Sequence, residues 1–197
     1  MLQAGLHNSR QAFVRITEVS PRDGLQHESE FVPTLRKIAL INALSRTGVT
    51  EIEAGSFVSP AAIPQLADSD EVLRAIDRIP GVAYSALVPN ERGLERARAA
   101  GVDKIAVFTA ASNSFTRHNI KATVQESLVR FRPIVAAAKR DGMAVRAYLS
   151  TVVFCPYEGR IAPKQVRDVM ERLLDLAVDD ISLGETVGKA SPTDIRR

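Results

Sequence analysis

The chain reads as an α/β protein built on a parallel sheet, and three observations carry that reading. Short apolar runs alternate six times with longer segments of helical period, a pattern that implies parallel pairing through right-handed crossovers. The 197 residues, 45% of them apolar, suffice for one domain with a sizeable core. The run from Val14 to Gln26 ends a β-rich stretch in an arginine, a carboxylate and a glycine turn, which is the arrangement expected where a parallel sheet builds an active site. An open doubly wound sheet and a barrel both satisfy these observations. No Gly-x-Gly-x-x-Gly turn follows the first strand, which argues against the dinucleotide-binding version.

Taken in order, strands are expected near 13–19, 49–54, 82–88, 102–109, 144–153 and 178–183. Leu35, Ile38, Ile41 and Leu44 recur at helical spacing after Pro33, which suits a first helical position, and Gly48 stands where a C-terminal cap belongs. Val166, Val169, Met170, Leu173 and Leu174 repeat the pattern after Pro163. The segment 121–140 carries Val124, Leu128, Phe131 and Val135, with Pro133 inside it; a proline there predicts a kink or a break.

The motifs narrow the choice. Glu18-Val19-Ser20-Pro21-Arg22-Asp23-Gly24-Leu25-Gln26 resembles the first-strand signature of the hydroxymethylglutaryl-CoA lyases, members of a superfamily of metal-dependent lyases and Claisen-type synthases. Four further blocks resemble that family in its own order. They are Ile52 to Pro60, Ala110-Ala111-Ser112 with Phe115-Thr116, Cys155-Pro156-Tyr157-Glu158-Gly159, and Ile181 to Gly188. Five ordered blocks are far more specific than one. The similarity runs from about Val14 to the last residue, so residues 1–12 are read as an N-terminal extension and 13–197 as a partial lyase domain.

The resemblance selects a (β/α)8 TIM barrel, of which this chain supplies about the first six strand-helix units, since eight need roughly 250 residues. It implies a divalent metal, Mg or Mn, held in the family by the first-strand Asp, a His-x-His pair on the seventh strand and an Asn near the eighth. Of these only Asp23 has a counterpart here; His7, His27 and His118 lie far apart, and His27 and His118 are expected to be exposed loop residues. The glycine-rich loop bearing the family's catalytic cysteine has no counterpart either. The expectation is an incomplete metal site and an inactive fragment.

Each candidate residue has a functional and a structural reading. Arg22 resembles the family arginine that polarises the thioester carbonyl; its planar guanidinium suits an oxygen on which enolate charge develops, and a surface ion pair is the alternative. Glu53, at the end of the second strand, is a catalytic candidate that either holds Arg22 and the metal shell or serves as a buried ion-pair partner. Glu18 is expected to point into the barrel in a structural role. Gln26 and Tyr148 are substrate-binding candidates, against a solvated loop residue and a core aromatic. Ser182 and Glu185 close the sixth strand as further substrate-binding candidates, Glu185 standing where the lyases usually carry Asp. Cys155 reads as a packed small residue, because no histidine is placed beside it.

Composition excludes some classes. The net charge of +3 arises from 26 basic and 23 acidic residues that are interspersed, and aromatics make up 5% with no Trp, so nucleic-acid binding is not expected. No signal peptide and no membrane-length apolar run is read, and one cysteine cannot form an internal disulfide, which makes the cytoplasm the default compartment. The expected activity is metal-assisted cleavage of 3-hydroxy-3-methylglutaryl-CoA, or a close 3-hydroxyacyl-CoA, to acetyl-CoA and acetoacetate, as in leucine degradation and ketone-body formation. A Claisen-type synthase is the runner-up, although those usually read Leu-Arg-Asp-Gly-Glu-Gln where this chain has Pro21 and Leu25. Unpaired edge strands in an incomplete barrel predict a homo-oligomer.

Overall fold

The computed structural model describes residues 14–196; the expected N-terminal extension lies outside them. The element order is β1 (Thr17–Glu18), one π-helical turn (Ser20–Gly24), α1 (Thr34–Leu44), β2 (Glu51–Ser56), a 3₁₀ turn (Pro64–Leu66), α2 (Ser69–Ala75), β3 (Ala83–Leu87), α3 (Glu91–Ala99) and β4 (Lys104–Ala110). It continues through α4 (Asn113–Ile120), α5 (Val124–Arg140), β5 (Ala144–Ser150), β6 (Phe154–Cys155), β7 (Gly159–Arg160), α6 (Pro163–Leu174), β8 (Asp180–Leu183) and α7 (Pro192–Ile195).

Six of these strands form one wholly parallel sheet in the order β1-β2-β3-β4-β5-β8, which is the chain order of the expected strands and makes six units of an eight-unit barrel. The remaining two, β6 and β7, pair antiparallel as a small hairpin beyond β5 that the sequence did not announce. It falls in the Cys155 to Gly159 block and ends the predicted 144–153 strand at Ser150.

Period-two side-chain alternation assigns the two faces of the sheet. On β5, Val145, Ala147 and Leu149 are fully buried against the helices, while Arg146 and Tyr148 face the barrel interior. The helices supply the other half of that core. Leu128, Phe131, Ile134 and Val135 of α5 join Val166, Val169 and Leu173 of α6, and each fully buried aliphatic or aromatic side chain contributes about 2 kcal/mol. Thr109 of β4 reaches the same layer and hydrogen-bonds Ser127 of α5 at 2.8 Å.

Three local expectations are corrected. Of the kink or break expected at Pro133, the break does not occur: the helix is continuous over Val124–Arg140, because the ring lies on the solvent face and the carbonyl it frees, that of Val129, belongs to an exposed residue. Leu35 stands 78% exposed, so the buried stripe of α1 runs through Lys37 and Ile41 instead. Glu18 does not enter the barrel: it pairs in register with Ile52, on the outer face, and its carboxylate accepts the Ser20 N–H at 2.7 Å. That bond pulls the Glu18 carboxyl below its ordinary value. Among the described residues, no helix is long and apolar enough to cross a membrane.

Candidate active site

Inside the half-barrel the strands present two tiers of polar side chains. The upper tier begins with the turn after β1. Ser20-Pro21-Arg22-Asp23-Gly24 winds as one π-helical turn, with the Asp23 N–H donating to the Val19 carbonyl at 2.7 Å and the Leu25 N–H returning to Ser20. Wide turns of this kind occur preferentially at functional sites. This one splits neighbours: Arg22 turns inward and is 9% exposed, while the Asp23 side chain is 51% exposed.

Inward-pointing Arg22 meets Glu53. Its Nε donates to Glu53 Oε1, its Nη1 donates to Asp23 Oδ1 at 2.6 Å, and Nη2 has no partner among the described residues. Glu53 is completely buried, and its second oxygen accepts the Tyr148 hydroxyl at 2.8 Å. The Arg22 guanidinium carbon also lies 5.5 Å from the Tyr148 ring centre. Burial by itself would weaken the proton's hold on Arg22, but the charge and hydrogen bond of Glu53 outweigh it and raise the Arg22 pKa. Burial raises the Tyr148 phenol, and the Glu53 carboxylate drives it further up.

The lower tier consists of Glu51, Lys104, Arg146 and Asp180, two acids and two bases. Lys104 Nζ bridges Glu51 Oε2 at 3.0 Å and Asp180 Oδ2 at 2.5 Å. Arg146 donates Nε to Asp180 Oδ1 at 2.5 Å and Nη1 to the Thr17 hydroxyl at 3.1 Å. Its Nη1 also stands 2.9 Å from Glu51 Oε1, an ion-pair contact that is not a hydrogen bond, and its Nη2 donates to Glu51 Oε2 at 3.4 Å. Burial would raise the Asp180 carboxyl, yet the bonds from Arg146 and Lys104 hold it below its ordinary value.

The predicted residues divide accordingly. Arg22, Asp23, Glu53 and Tyr148 come together, although Glu53 is the third of the six residues of β2 and not its end. Ser182 faces Tyr148 in the β5–β8 register and therefore points into the same interior, without a hydrogen bond to the group. Gln26 is half-buried just past the π turn, and no bond from its side chain joins it to Arg22. Glu185 lies beyond the end of β8, where Oε2 accepts the Lys189 N–H at 3.1 Å and Oε1 is buried without a partner among the described residues.

His27 and His118 are exposed, His118 on α4 instead of a loop, stacked on Tyr157 at 4.0 Å. Cys155 is buried 3.0 Å from the Ser112 hydroxyl. The lower tier, Thr151 and Thr186 were not singled out from the sequence. The signal for the tier was present: charged residues at Glu51 and Glu53, and polar ones at Arg146 and Tyr148 and at Asp180 and Ser182, recur at period two in strands that are otherwise apolar.

The donor set available to a divalent metal is thin. Asp23 offers one oxygen to Arg22 and leaves Oδ2 without a partner, and the nearby His27 directs Nδ1 to the Asp23 carbonyl at 2.8 Å. Among the described residues no three His, Cys, Asp or Glu side chains gather into a metal-binding group. One carboxylate does not fit a hard cation that takes six oxygen or imidazole ligands.

The pattern of the HMGL-like family matches residues 13–197. The mitochondrial hydroxymethylglutaryl-CoA lyase of Bos taurus is 49% identical over 91% of this chain and 55% of its own length. The hydroxymethylglutaryl-CoA lyase of Pseudomonas mevalonii is 47% identical over 91% of this chain and 60% of its own length. The chain thus spans little more than half the length of the curated relatives it matches. Among solved structures, the HMG-CoA lyase of Brucella melitensis superposes with a TM-score of 0.91 at 52% identity, covering 92% of this chain and 64% of that one. An HMG-CoA lyase of Acinetobacter baumannii, solved with coenzyme A and 3-methylmalate, gives 0.89 at 39% identity, covering 93% and 60%.

Proposed function

Because this chain belongs to the HMGL-like family, we propose that the protein carrying it is a carbon–carbon lyase acting on 3-hydroxy-3-methylglutaryl-CoA or a close 3-hydroxyacyl-CoA. In that reaction a base takes the proton of the tertiary hydroxyl, and the bond to the thioester's α-carbon breaks. The hydroxyl carbon becomes the ketone of acetoacetate, and the electron pair passes to the thioester as an enolate, which is protonated on carbon to give acetyl-CoA.

The observation that carries this reading is the state of Arg22. It is buried and fixed by Glu53 and Asp23, and it keeps one guanidinium nitrogen uncommitted at the strand ends, where barrel enzymes bind substrate. A fixed, charged, partly unpaired fork is suited to an oxygen that gains charge only in the transition state. Glu53 and Tyr148 hold that fork, and Gln26, Tyr148, Ser182 and Glu185 are proposed to line the acyl-CoA substrate. Asp23 is the proposed ligand to the divalent metal on which the family depends, Mg²⁺ or Mn²⁺. One carboxylate does not complete such a site, and the 197 residues alone are expected to show no turnover. A cytoplasmic homo-oligomer completes the proposal; cytoplasmic lyases stand among the relatives, for example that of Danio rerio at 50% identity.

The test is to incubate the full-length protein with 3-hydroxy-3-methylglutaryl-CoA and Mn²⁺, following acetoacetate and free thiol together. Acetoacetate without thiol is the expected result, since the acetyl group leaves still bound to coenzyme A. Thiol release from acetyl-CoA plus a 2-oxo acid, with no acetoacetate from the first substrate, would replace the lyase by a synthase.

A further inference from the structure

The chain leaves β5 through a strained residue. Thr151 is fully buried and adopts φ of 56°, in the left-handed region that a β-branched side chain strongly disfavours. Such a conformation costs on the order of 1–3 kcal/mol and persists only where the surroundings impose it. Among the described residues two other non-glycine residues have positive φ, Lys121 and Ala177, and both follow the ends of helices, where the left-handed turn is an ordinary way to stop. Thr151 instead follows a strand, three residues beyond Tyr148 at the mouth of the barrel.

What imposes the conformation is a clasp between the ends of β5 and β8. The Thr151 N–H donates to the Thr186 hydroxyl at 3.0 Å, and the Thr151 hydroxyl donates to its neighbour's carbonyl, Ser150, at 2.7 Å. On either side, Val152 N–H donates to the Gly184 carbonyl at 3.2 Å and Gly184 N–H to the Leu149 carbonyl at 2.9 Å. The segment so clasped, Gly184 to Thr186, carries Glu185, whose Oε1 is buried with no hydrogen-bond partner among the described residues. A carboxylate oxygen left without a partner in a buried place is available to a ligand group, and its aim depends on how firmly the segment is held.

We infer that Thr151 is a positioning residue: its left-handed backbone directs an N–H at Thr186 and thereby fixes the segment at the end of β8 that carries Glu185 and its unpartnered buried oxygen. This rests on the reading of Glu185 as substrate-binding in the proposed lyase. Removing the Thr186 acceptor should loosen the segment and act on substrate through Glu185 alone.

The experiment is a cycle on the full-length protein with T186V, T186S, E185Q and the T186V/E185Q pair, read by KM, kcat and backbone hydrogen exchange of residues 184–187. Thr186 lies at the surface, so T186V is expected to fold, which its far-UV circular dichroism checks. T186V should raise KM about tenfold with kcat within about threefold, T186S should restore both, and T186V should add nothing to E185Q. Exchange at 184–187 should quicken in T186V, a readout that needs no substrate. An additive effect of T186V in the E185Q background, or unchanged exchange, would overturn the inference. Absence of turnover in the unsubstituted protein would overturn the lyase reading instead, and leave the exchange result to decide this one.

Discussion

The two polar tiers inside the half-barrel are both ionic clusters and share β2 and β5, which carry Glu51 and Glu53 and Arg146 and Tyr148, yet they are finished differently. In the lower tier every charge is paired: Lys104 and Arg146 each contact both Glu51 and Asp180, and Arg146 Nη1 also reaches Thr17, although Glu51 Oε1 accepts no hydrogen bond among the described residues. In the upper tier the matching is incomplete, since Arg22 Nη2 and Asp23 Oδ2 have no partners among the described residues. Pairing of every charge makes a buried cluster a structural device, because any removed member strands its neighbours. Incomplete matching leaves donors and acceptors for a ligand. The difference separates two roles that composition alone would have merged.

The largest effect expected is on the upper tier. In the full-length protein Arg22→Lys should lower kcat about a thousandfold, roughly 4 kcal/mol in the barrier, with a melting temperature changed by only a few degrees. Lysine keeps a positive charge for Glu53 but cannot hold Glu53 and Asp23 while presenting a free nitrogen. Arg22→Gln, which the motif alone would offer as the clean substitution, is a poor choice here: it leaves the completely buried Glu53 facing a neutral amide, and stability would fall with activity. Should Arg22→Lys cost stability and leave kcat untouched, the upper tier would be structural too, and the contrast would vanish.

The next effect is on the lower tier and of opposite kind. Lys104→Met leaves Glu51 and Asp180 sharing Arg146 alone, and unfolding in denaturant should show a loss of about 3 kcal/mol, with kcat of the folded protein within about twofold. Adding Glu51→Gln should recover part of the loss, because the stranded carboxylate is then removed. A fall in kcat without a fall in stability would place Lys104 with the catalytic group.

Much of this arrangement was legible in the sequence, and the limits are instructive. Six alternations of period gave the parallel order of the sheet, because right-handed crossovers leave few other topologies. The wording around Arg22 and Asp23 marked the site, since strand ends carry chemistry in such sheets. What could not be read were features decided by three-dimensional context. Pro133 should break a helix by local rules, yet solvent beside Val129 accepts the freed carbonyl. Glu18 was expected to point into the barrel, but register with Ile52 fixes it outside. The π turn that sends Arg22 in and Asp23 out adds a residue to the local winding, and no propensity signals that. Thr151 carries no mark at all, because β-branched residues argue for extended backbone and only the clasp overrides them.

The smallest effect is the most specific to the join between the tiers, and it concerns the proton on Tyr148. Burial raises the phenol above its ordinary 10.0, and the Glu53 carboxylate accepting its hydrogen bond raises it further, against a weaker opposite pull from Arg22. The phenol is neutral when protonated, so a raised folded pKa means the folded chain holds the proton after the unfolded chain has released it. The resulting stability is fully present below pH 10 and is lost as pH climbs through the folded value. Above pH 10, stability should therefore fall more steeply in the unsubstituted protein than in Tyr148→Phe, by up to about 1.4 kcal/mol per pH unit. Phenolate absorbance, taken as the difference between the two proteins, should show no ionisation of Tyr148 near pH 10 while both remain folded. Ionisation there would mean that no charged Glu53 faces the hydroxyl. The Arg22 fork would then lose its buried anchor, and the upper tier would have to be read as a loose polar patch above a finished floor.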